Sequence, residues 1–402
     1  MKNAMKKLFR ISFKTAVPLI LIIALVQCEK KIPTDHQTFS SWFINPSVKF
    51  DKRLTSITRE TIDSLVKDIR NRSATGTLTE TLYDSANTAY VLGYKTPELI
   101  KQDSVYPLII YLHGGTGTTA NTKGARAFEM LSPLADSMQL FLASPSASAS
   151  ARWWSPNGMS RILQTLRFMT LHYPIDSSKV FLAGVSDGAT GCWAAANTIY
   201  APFAGFFAVS GYGGLLPGTG MKLFPENLMQ RPIYNVNAGN DRLYPLKTIN
   251  RFLEYMTKSG VQVISKTYPD QDHGFDYREQ EFGTLCNFIR TWSRPVFSSI
   301  NFRFVSGFPN YPDNIFDWKL QNEATQICNV VSKNDTLLIS TKGVQSLIIR
   351  SPSDHSPFFA RLNQMPVKKI PAHHAENSEY LELMKHSCFP GFSTANLIKI
   401  KL

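Results

Sequence analysis

Residues 181–193 read FLAGVSDGATGCW. Apolar residues run into Gly184, Ser186 stands between Gly184 and Gly188, and an alanine-rich stretch opens behind it. A strand that enters a helix through such a turn holds its central residue in strained backbone, and small neighbours let strand and helix approach closely. The helix N-terminus then aims amide dipoles at whatever the serine carries. An ordinary tight turn can carry the same five residues, so the surrounding sequence has to decide between the two.

On either side of it, short apolar runs alternate with helix-like segments. The runs YPLIIYLHGG (106–115), LFLASPS (140–146), KVFLAG (179–184), FAGFFAVS (203–210), PIYNVNAG (232–239) and VQVISKTY (261–268) predict strands. Residues 123–139, 159–173, 189–200, 246–260 and 284–292 predict the helices between and after them. This order predicts an α/β fold: a mostly parallel, doubly wound sheet covered on both faces. Functional groups in such a sheet collect at the carboxyl ends of the strands. Ahead of it, Ile57, Ile62, Leu65, Val66 and Ile69 have helical spacing within residues 55–71, and 76–83 and 88–97 alternate like paired strands. After Trp292 the pattern changes to short β-like runs (336–341, 346–351, 358–363, 396–402), which predict a small C-terminal all-β domain, a sandwich, over 298–402.

A nucleophilic serine needs a base, and the base needs an orienting acid. Downstream, NVNAGNDRLYP (235–245) places Asp241 after a strand, and YPDQDHGFDY (268–277) places His273 after the next one. Ser186, Asp241 and His273 follow in the chain order of an α/β-hydrolase triad. Asp270 and Asp272 are rival acids whose closeness to His273 makes them loop carboxylates in this reading. The turn LHGGTGTT (112–119) resembles one that supplies a backbone N–H to an oxyanion. Gly115 or Thr116 would be one donor and the amide of Asp187 the other, with His113 bracing the turn. Trp153 and Trp154 follow a strand end. With Tyr212 and Tyr244 they are candidate substrate contacts, core packing being the alternative for the tryptophans. His355, His373, His374 and His386 fall in the β-rich region and read as surface residues.

The stretches YPLIIYLHGG, RWWSPNG (152–158), DSSKVFLAGVSDGA (176–189), AGNDRLYP (238–245) and DHGF (272–275) are similar to those of the α/β-hydrolase superfamily. The likeness is to its secreted branch of esterases, polyhydroxybutyrate-depolymerase-like proteins and predicted peptidases. The resemblance implies a Ser186–Asp241–His273 triad cleaving carboxylic esters of a small or polymeric substrate. Asp187-Gly188-Ala189 departs from a pattern in which a hydrophobic residue and two glycines are common, which leaves substrate preference open. A serine peptidase of the same fold, and an inactive surface protein binding glycan or protein, are the alternatives. The chemistry asks for no metal or organic cofactor, and no C-x-x-C or H-E-x-x-H zinc pattern is present.

The chain has 402 residues, 43% hydrophobic and 18% charged, and a formal net charge of +13. Lys2, Lys6, Lys7, Arg10 and Lys14 precede an apolar run from Ala16 to Val26 that Cys28 closes. That layout predicts a lipoprotein-type signal over 1–28, lipidation of Cys28 and a membrane-anchored, extracytoplasmic protein at the outer membrane or cell surface, a plain cleaved signal or an uncleaved anchor being the alternatives. Without those five basic residues, 38 basic against 30 acidic residues leave +8, spread along the chain with no basic-aromatic cluster, so nucleic-acid binding is not expected. The expected organisation is therefore a signal (1–28), a hydrolase domain with an N-terminal lead-in (29–297) and the β-rich accessory domain (298–402). In an oxidising compartment Cys328 and Cys388 could pair; buried free thiols are the alternative.

Overall fold

The structure is a computed structural model. It describes residues 36–45, 47–48, 54, 57–117, 120–295, 299–321, 325–333, 336–350, 358–390, 393 and 397–401. The signal segment and Cys28 lie outside these residues.

Eight strands form one sheet: β1 (Thr77–Tyr83), β2 (Ala89–Lys95), β3 (Tyr106–Leu112), β4 (Phe141–Pro145), β5 (Ile175–Val185), β6 (Gly205–Val209), β7 (Ile233–Ala238) and β8 (Val263–Tyr268). Their order is β1-β2-β4-β3-β5-β6-β7-β8. β1 and β2 pair antiparallel, as does β2 with β4, and from β4 to β8 every pair is parallel. The central strands β4, β6 and β7 are buried along their whole length, as expected of parallel strands covered on both faces.

The helices are α1 (His36–Ile44), α2 (Arg59–Arg72), α3 (Gly124–Ala127), α4 (Ser132–Met138), α5 (Pro156–His172), α6 (Asp187–Thr198), α7 (Pro225–Leu228), α8 (Leu246–Lys258) and α9 (Arg278–Thr291), with α10 (Asn377–Ser387) in the C-terminal region. The single helix expected over 123–139 is broken into α3, a 3-10 turn and α4. Pro133 sits in the first turn of α4, where its missing N–H interrupts a continuous ladder. α5 is buried from Gly158 to Leu171. Its Arg161 is paired there with Asp84 at 2.8 Å and lies over the ring of Tyr90.

Two elements differ from the sequence reading. The lead-in contains α1, whose Phe39, Trp42 and Phe43 at i, i+3 and i+4 are fully buried. The C-terminal region contains α10, with Tyr380, Leu381, Leu383 and Met384 buried. These two helices share one apolar cluster with α2 and with Leu171 of α5.

The β-rich region has two sheets. One holds β9 (Ile300–Arg303), β11 (Ile327–Lys333), β12 (Thr336–Lys342), β14 (Phe358–Leu362) and β15 (Lys368–Ile370). The other holds β10 (Ile315–Leu320), β13 (Val344–Arg350) and β16 (Leu397–Lys401). Their buried residues, among them Phe302, Val330, Ile339, Leu347 and Ile400, join the same core cluster as β3, α5 and α6. Hydrogen bonds from this region reach the amino ends of the large sheet's strands. Arg231, before β7, pairs with Asp313 at 2.5 Å, and Ala201, before β6, donates its N–H to the Tyr311 carbonyl. Arg294, in the connecting segment, donates its N–H to the carbonyl of Ser178 in β5. Cys192, Cys286, Cys328 and Cys388 are all buried free thiols, so the Cys328–Cys388 pairing is not formed.

Candidate active site

Ser186 sits between β5 and α6 at φ +55° and ψ −119°. A non-glycine residue at positive φ stores strain of about 1–3 kcal/mol. Its N–H donates to the Val209 carbonyl of β6 at 2.8 Å, which holds it there. The flanking glycines are sterically required: a Cβ on Gly188 would lie 1.9 Å from the Leu112 carbonyl oxygen, and one on Gly184 would lie 2.4 Å from the Gly188 carbonyl carbon. The elbow pattern thus reports backbone packed against backbone.

His273 follows β8 and Asp241 follows β7. The two loops are tied by the Gly239 N–H to the Tyr268 carbonyl (2.7 Å) and the Asn240 N–H to the Gln271 carbonyl (3.0 Å). His273 Nε2 lies 3.0 Å from Ser186 Oγ, and Nδ1 lies 2.8 Å from Asp241 Oδ2. A carboxylate can only accept, so Nδ1 carries the proton and Nε2 presents its lone pair to the serine hydroxyl. The Asp241 side chain is fully buried, and its Oδ1 accepts the N–H groups of Leu243 (2.9 Å) and Tyr244 (2.8 Å). The rival acids Asp270 and Asp272 are exposed.

Behind the serine, the turn after β3 is closely braced. His113 Nε2 accepts the Ala147 N–H at 2.9 Å, so its Nδ1 donates to the Gly114 carbonyl at 2.9 Å. Burial pushes the His113 imidazole down to about 4, so it stays neutral at physiological pH. Lys123 Nζ donates to that same carbonyl at 2.8 Å. Nothing in the sequence beyond a basic residue at a helix start marked Lys123. A Cβ on Gly114 would lie 3.5 Å from Ser186 Oγ, which puts this turn directly against the nucleophile position.

The structure corrects Thr116 as an oxyanion donor. Its N–H and its Oγ1 both donate to Asp187 Oδ2, at 2.7 and 2.8 Å, so this amide is already engaged. The Tyr244 hydroxyl donates to the other oxygen, Asp187 Oδ1, at 3.4 Å. The acid beside the serine is therefore a clamp on the β3 turn. Gly115 in that turn has φ +69°.

Trp153 is also corrected. It is fully buried; its indole N–H donates to the His113 carbonyl at 2.8 Å, and a Cβ on Gly191 of α6 would meet it at 2.5 Å. It is a strut beneath the turn and no substrate contact. Trp154 is half-buried, with the Arg152 guanidinium 5.9 Å from its ring. Tyr212 is buried and meets Tyr244 edge-on at 6.2 Å. Tyr244 lies against His273, ring centroids 5.2 Å apart. Burial, and then the Asp187 carboxylate, raise the Tyr244 hydroxyl above its ordinary value. The structure thus brings Tyr244 to Ser186 and His273 and places Tyr212 behind it. No group of three or more His, Cys, Asp or Glu side chains among the described residues could hold a metal.

Of the histidines read as surface residues, His386 is stacked on Tyr311 at 4.1 Å, and His373 pairs with Glu379 at 2.7 Å. Both are recruited by packing of α10; His355 lies outside the described residues.

Residues 139–293 match the family model described as phospholipase/carboxylesterase. No curated relative matches the chain. Among solved structures, the chain is similar to a thermostable esterase (20% identity, 54% of this chain and 63% of that one, TM-score 0.43) and to a ferulic acid esterase (15%, 53% and 98%, 0.43). It is also similar to an acylaminoacyl peptidase of Pyrococcus horikoshii (14%, 59% and 44%, 0.45). The chain spans less than two thirds of the length of the first and less than half of the third. The sheet order and the match over 139–293 give this part of the chain the α/β-hydrolase fold.

Proposed function

We propose that the chain is a serine hydrolase that cleaves carboxylic esters through an acyl-enzyme. The observation that carries this reading is the relay Asp241–His273–Ser186, linked at 2.8 and 3.0 Å. Ser186 Oγ attacks the ester carbonyl as His273 Nε2 takes its proton, and Asp241 holds the resulting imidazolium. The oxyanion is received by backbone amides at the head of α6 and in the β3 turn, those of Asp187 and Gly115. Collapse of the tetrahedral intermediate expels the alcohol, which takes the proton from His273. Water then repeats the cycle on the acyl-enzyme and returns free acid and serine.

Asp187 positions the turn that carries the second donor. Tyr244, beside the imidazole, and Trp154 line the approach to Ser186. The natural setting in this reading is outside the cytoplasm, with the chain anchored by lipid on Cys28; metabolic labelling with a radioactive fatty acid, lost in Cys28→Ser, tests that part separately.

Hydrolysis of short-chain p-nitrophenyl esters by protein beginning at Glu29 tests the reaction, run beside Ser186→Ala and His273→Ala. Turnover that vanishes in both folded variants supports the reading, and a folded wild type inert across acyl lengths overturns it. The matched amide separates esterase from peptidase: only a peptidase turns over the amide at an appreciable rate, although more slowly than the ester.

A further inference from the structure

A cavity of about 600 Å³ lies between α5 and the β-rich region, within the usual range of small-molecule pockets, about 300–1,000 Å³. Neither Ser186 nor His273 lines it. One wall is a continuous run of rings. Phe304 meets Trp318 of β10 at 5.5 Å, Trp318 meets His386 of α10 edge-on at 5.2 Å, and His386 stacks on Tyr311 at 4.1 Å with the rings 5° from parallel. Phe308, between β9 and β10, lines the cavity as well, and both Phe308 and Trp318 are only half-buried.

The run of rings ends at Arg167 of α5, which also lines the cavity and is 3% exposed. Its Nε donates to the Lys385 carbonyl at 2.9 Å, and its Nη2 donates to the Tyr311 hydroxyl at 2.9 Å. Both acceptors are neutral. Nη1 has no acceptor among the described residues, yet it is not one of the polar atoms sealed from solvent. Among the described residues no Asp or Glu lines the cavity, and none forms an ion pair with this guanidinium. Glu382 of α10, whose charge acts on Lys385 and Tyr311, is exposed. Burial, and then the Arg167 charge, push Lys385 down to about 8 and His386 down to about 3.

A guanidinium taken out of water loses hydration that two neutral acceptors restore only in part. It keeps its charge at any accessible pH, and its planar fork of donors matches a carboxylate. The rings specify the rest of the guest. Half-buried Trp318 and Phe308 offer apolar ring surface that a flat ring covers and an inorganic anion does not. Ser160 and Gln326 in the wall add polar groups suited to ring hydroxyls.

We propose that this cavity binds a small cyclic carboxylate, its acid group paired with Arg167 and its ring laid on Trp318 and Phe308. A hydroxylated aromatic acid and a hexuronic acid share that chemistry. The site is separate from Ser186 and does not rest on ester cleavage there.

Isothermal titration and thermal unfolding with 4-hydroxybenzoate and with glucuronate test this, beside phenol, glucose and acetate at equal ionic strength. The expected result is saturable binding of at least one of the two cyclic acids, about tenfold or more tighter than its neutral counterpart and than acetate, with a rise in Tm that follows occupancy. Which acid binds more tightly tells an aromatic guest from a saccharide. Arg167→Gln should weaken that acid about tenfold or more through loss of a charge-assisted pair. Phe308→Ala should weaken it several-fold, and ester turnover per folded molecule should stay at the wild-type rate in both variants. Arg167 also holds Lys385 and Tyr311, so if Arg167→Gln fails to fold, the comparison of acid with neutral counterpart on the wild type decides. The proposal is overturned if the wild type binds neither acid saturably, or binds phenol, glucose or acetate as tightly. Binding undiminished in folded Arg167→Gln or in Phe308→Ala overturns it equally.

Discussion

The two edges of the large sheet use charge for different ends. At the carboxyl edge the groups that hold the relay and the β3 turn are matched to partners. Asp241 accepts three hydrogen bonds, Asp187 is met by Thr116 and Tyr244, and His113 has both ring nitrogens engaged. At the amino edge, the buried pair of Arg231 with Asp313 ties the β-rich region to the sheet. A fully matched network fixes geometry, which is what proton transfer across 3 Å requires. The Arg231–Asp313 pair instead joins two regions of the fold and acts on stability.

This contrast can be broken most forcefully at the relay. Ser186→Ala and His273→Ala should each lower ester kcat by about 10⁴-fold or more, with Tm nearly unchanged, because residues that act as a unit fail together. Asp241→Asn should approach the same loss, through misassignment of the imidazole tautomer. The next largest effect is expected at Asp187. Asp187→Ala removes the acceptor for two donors of Thr116, and kcat should fall by about 10–100-fold with a smaller change in KM. Asp187→Asn keeps one acceptor oxygen and should recover part of that loss. An unchanged kcat in Asp187→Ala would show that the clamp on the turn is unimportant.

At the amino edge the readout should be stability instead of turnover. Asp313→Asn leaves the buried Arg231 without its charge partner, at a cost of about 3–5 kcal/mol, while ester turnover per folded molecule stays constant. A further loss of stability comes from acid. His113, His172 and His386 are pushed down by burial to about 4, 4 and 3, against an ordinary value of 6.5. Between pH 6.5 and 4 the unfolded chain binds protons that the native chain does not, so stability falls as pH falls through that window and rises with pH within it. A Tm series should show a decline of several degrees from pH 6.5 to 4. A flat profile would mean that these imidazoles are not held neutral.

The carboxyl edge was legible in the sequence because each part had a local cause. Gly184 and Gly188 mark backbones in contact, the apolar runs mark strands buried on both faces, and Asp241 and His273 stand directly after strand ends. Thr116, Trp153 and Asp187 were not legible, since their roles depend on which side chain is across the turn. Sequence places Asp187 beside the serine but does not show that its carboxylate reaches back 71 residues to Thr116. Both α1 and α10 carry helical spacing, Phe39-Trp42-Phe43 within the N-terminal lead-in and Tyr380-Leu381-Met384 amid β-like runs. The Arg231–Asp313 pair was the least legible feature, because its two residues come from separate segments that only the packing of the β-rich region on the sheet brings together.

The central claim is that Ser186 is a nucleophile activated by His273. Intact-mass and peptide mass spectrometry after exposure to a fluorophosphonate tests it without knowledge of the substrate. The account predicts one adduct, on Ser186, absent in Ser186→Ala and formed at least 100-fold more slowly in folded His273→Ala. No adduct on the folded wild type, or one that forms at the same rate without His273, would contradict it.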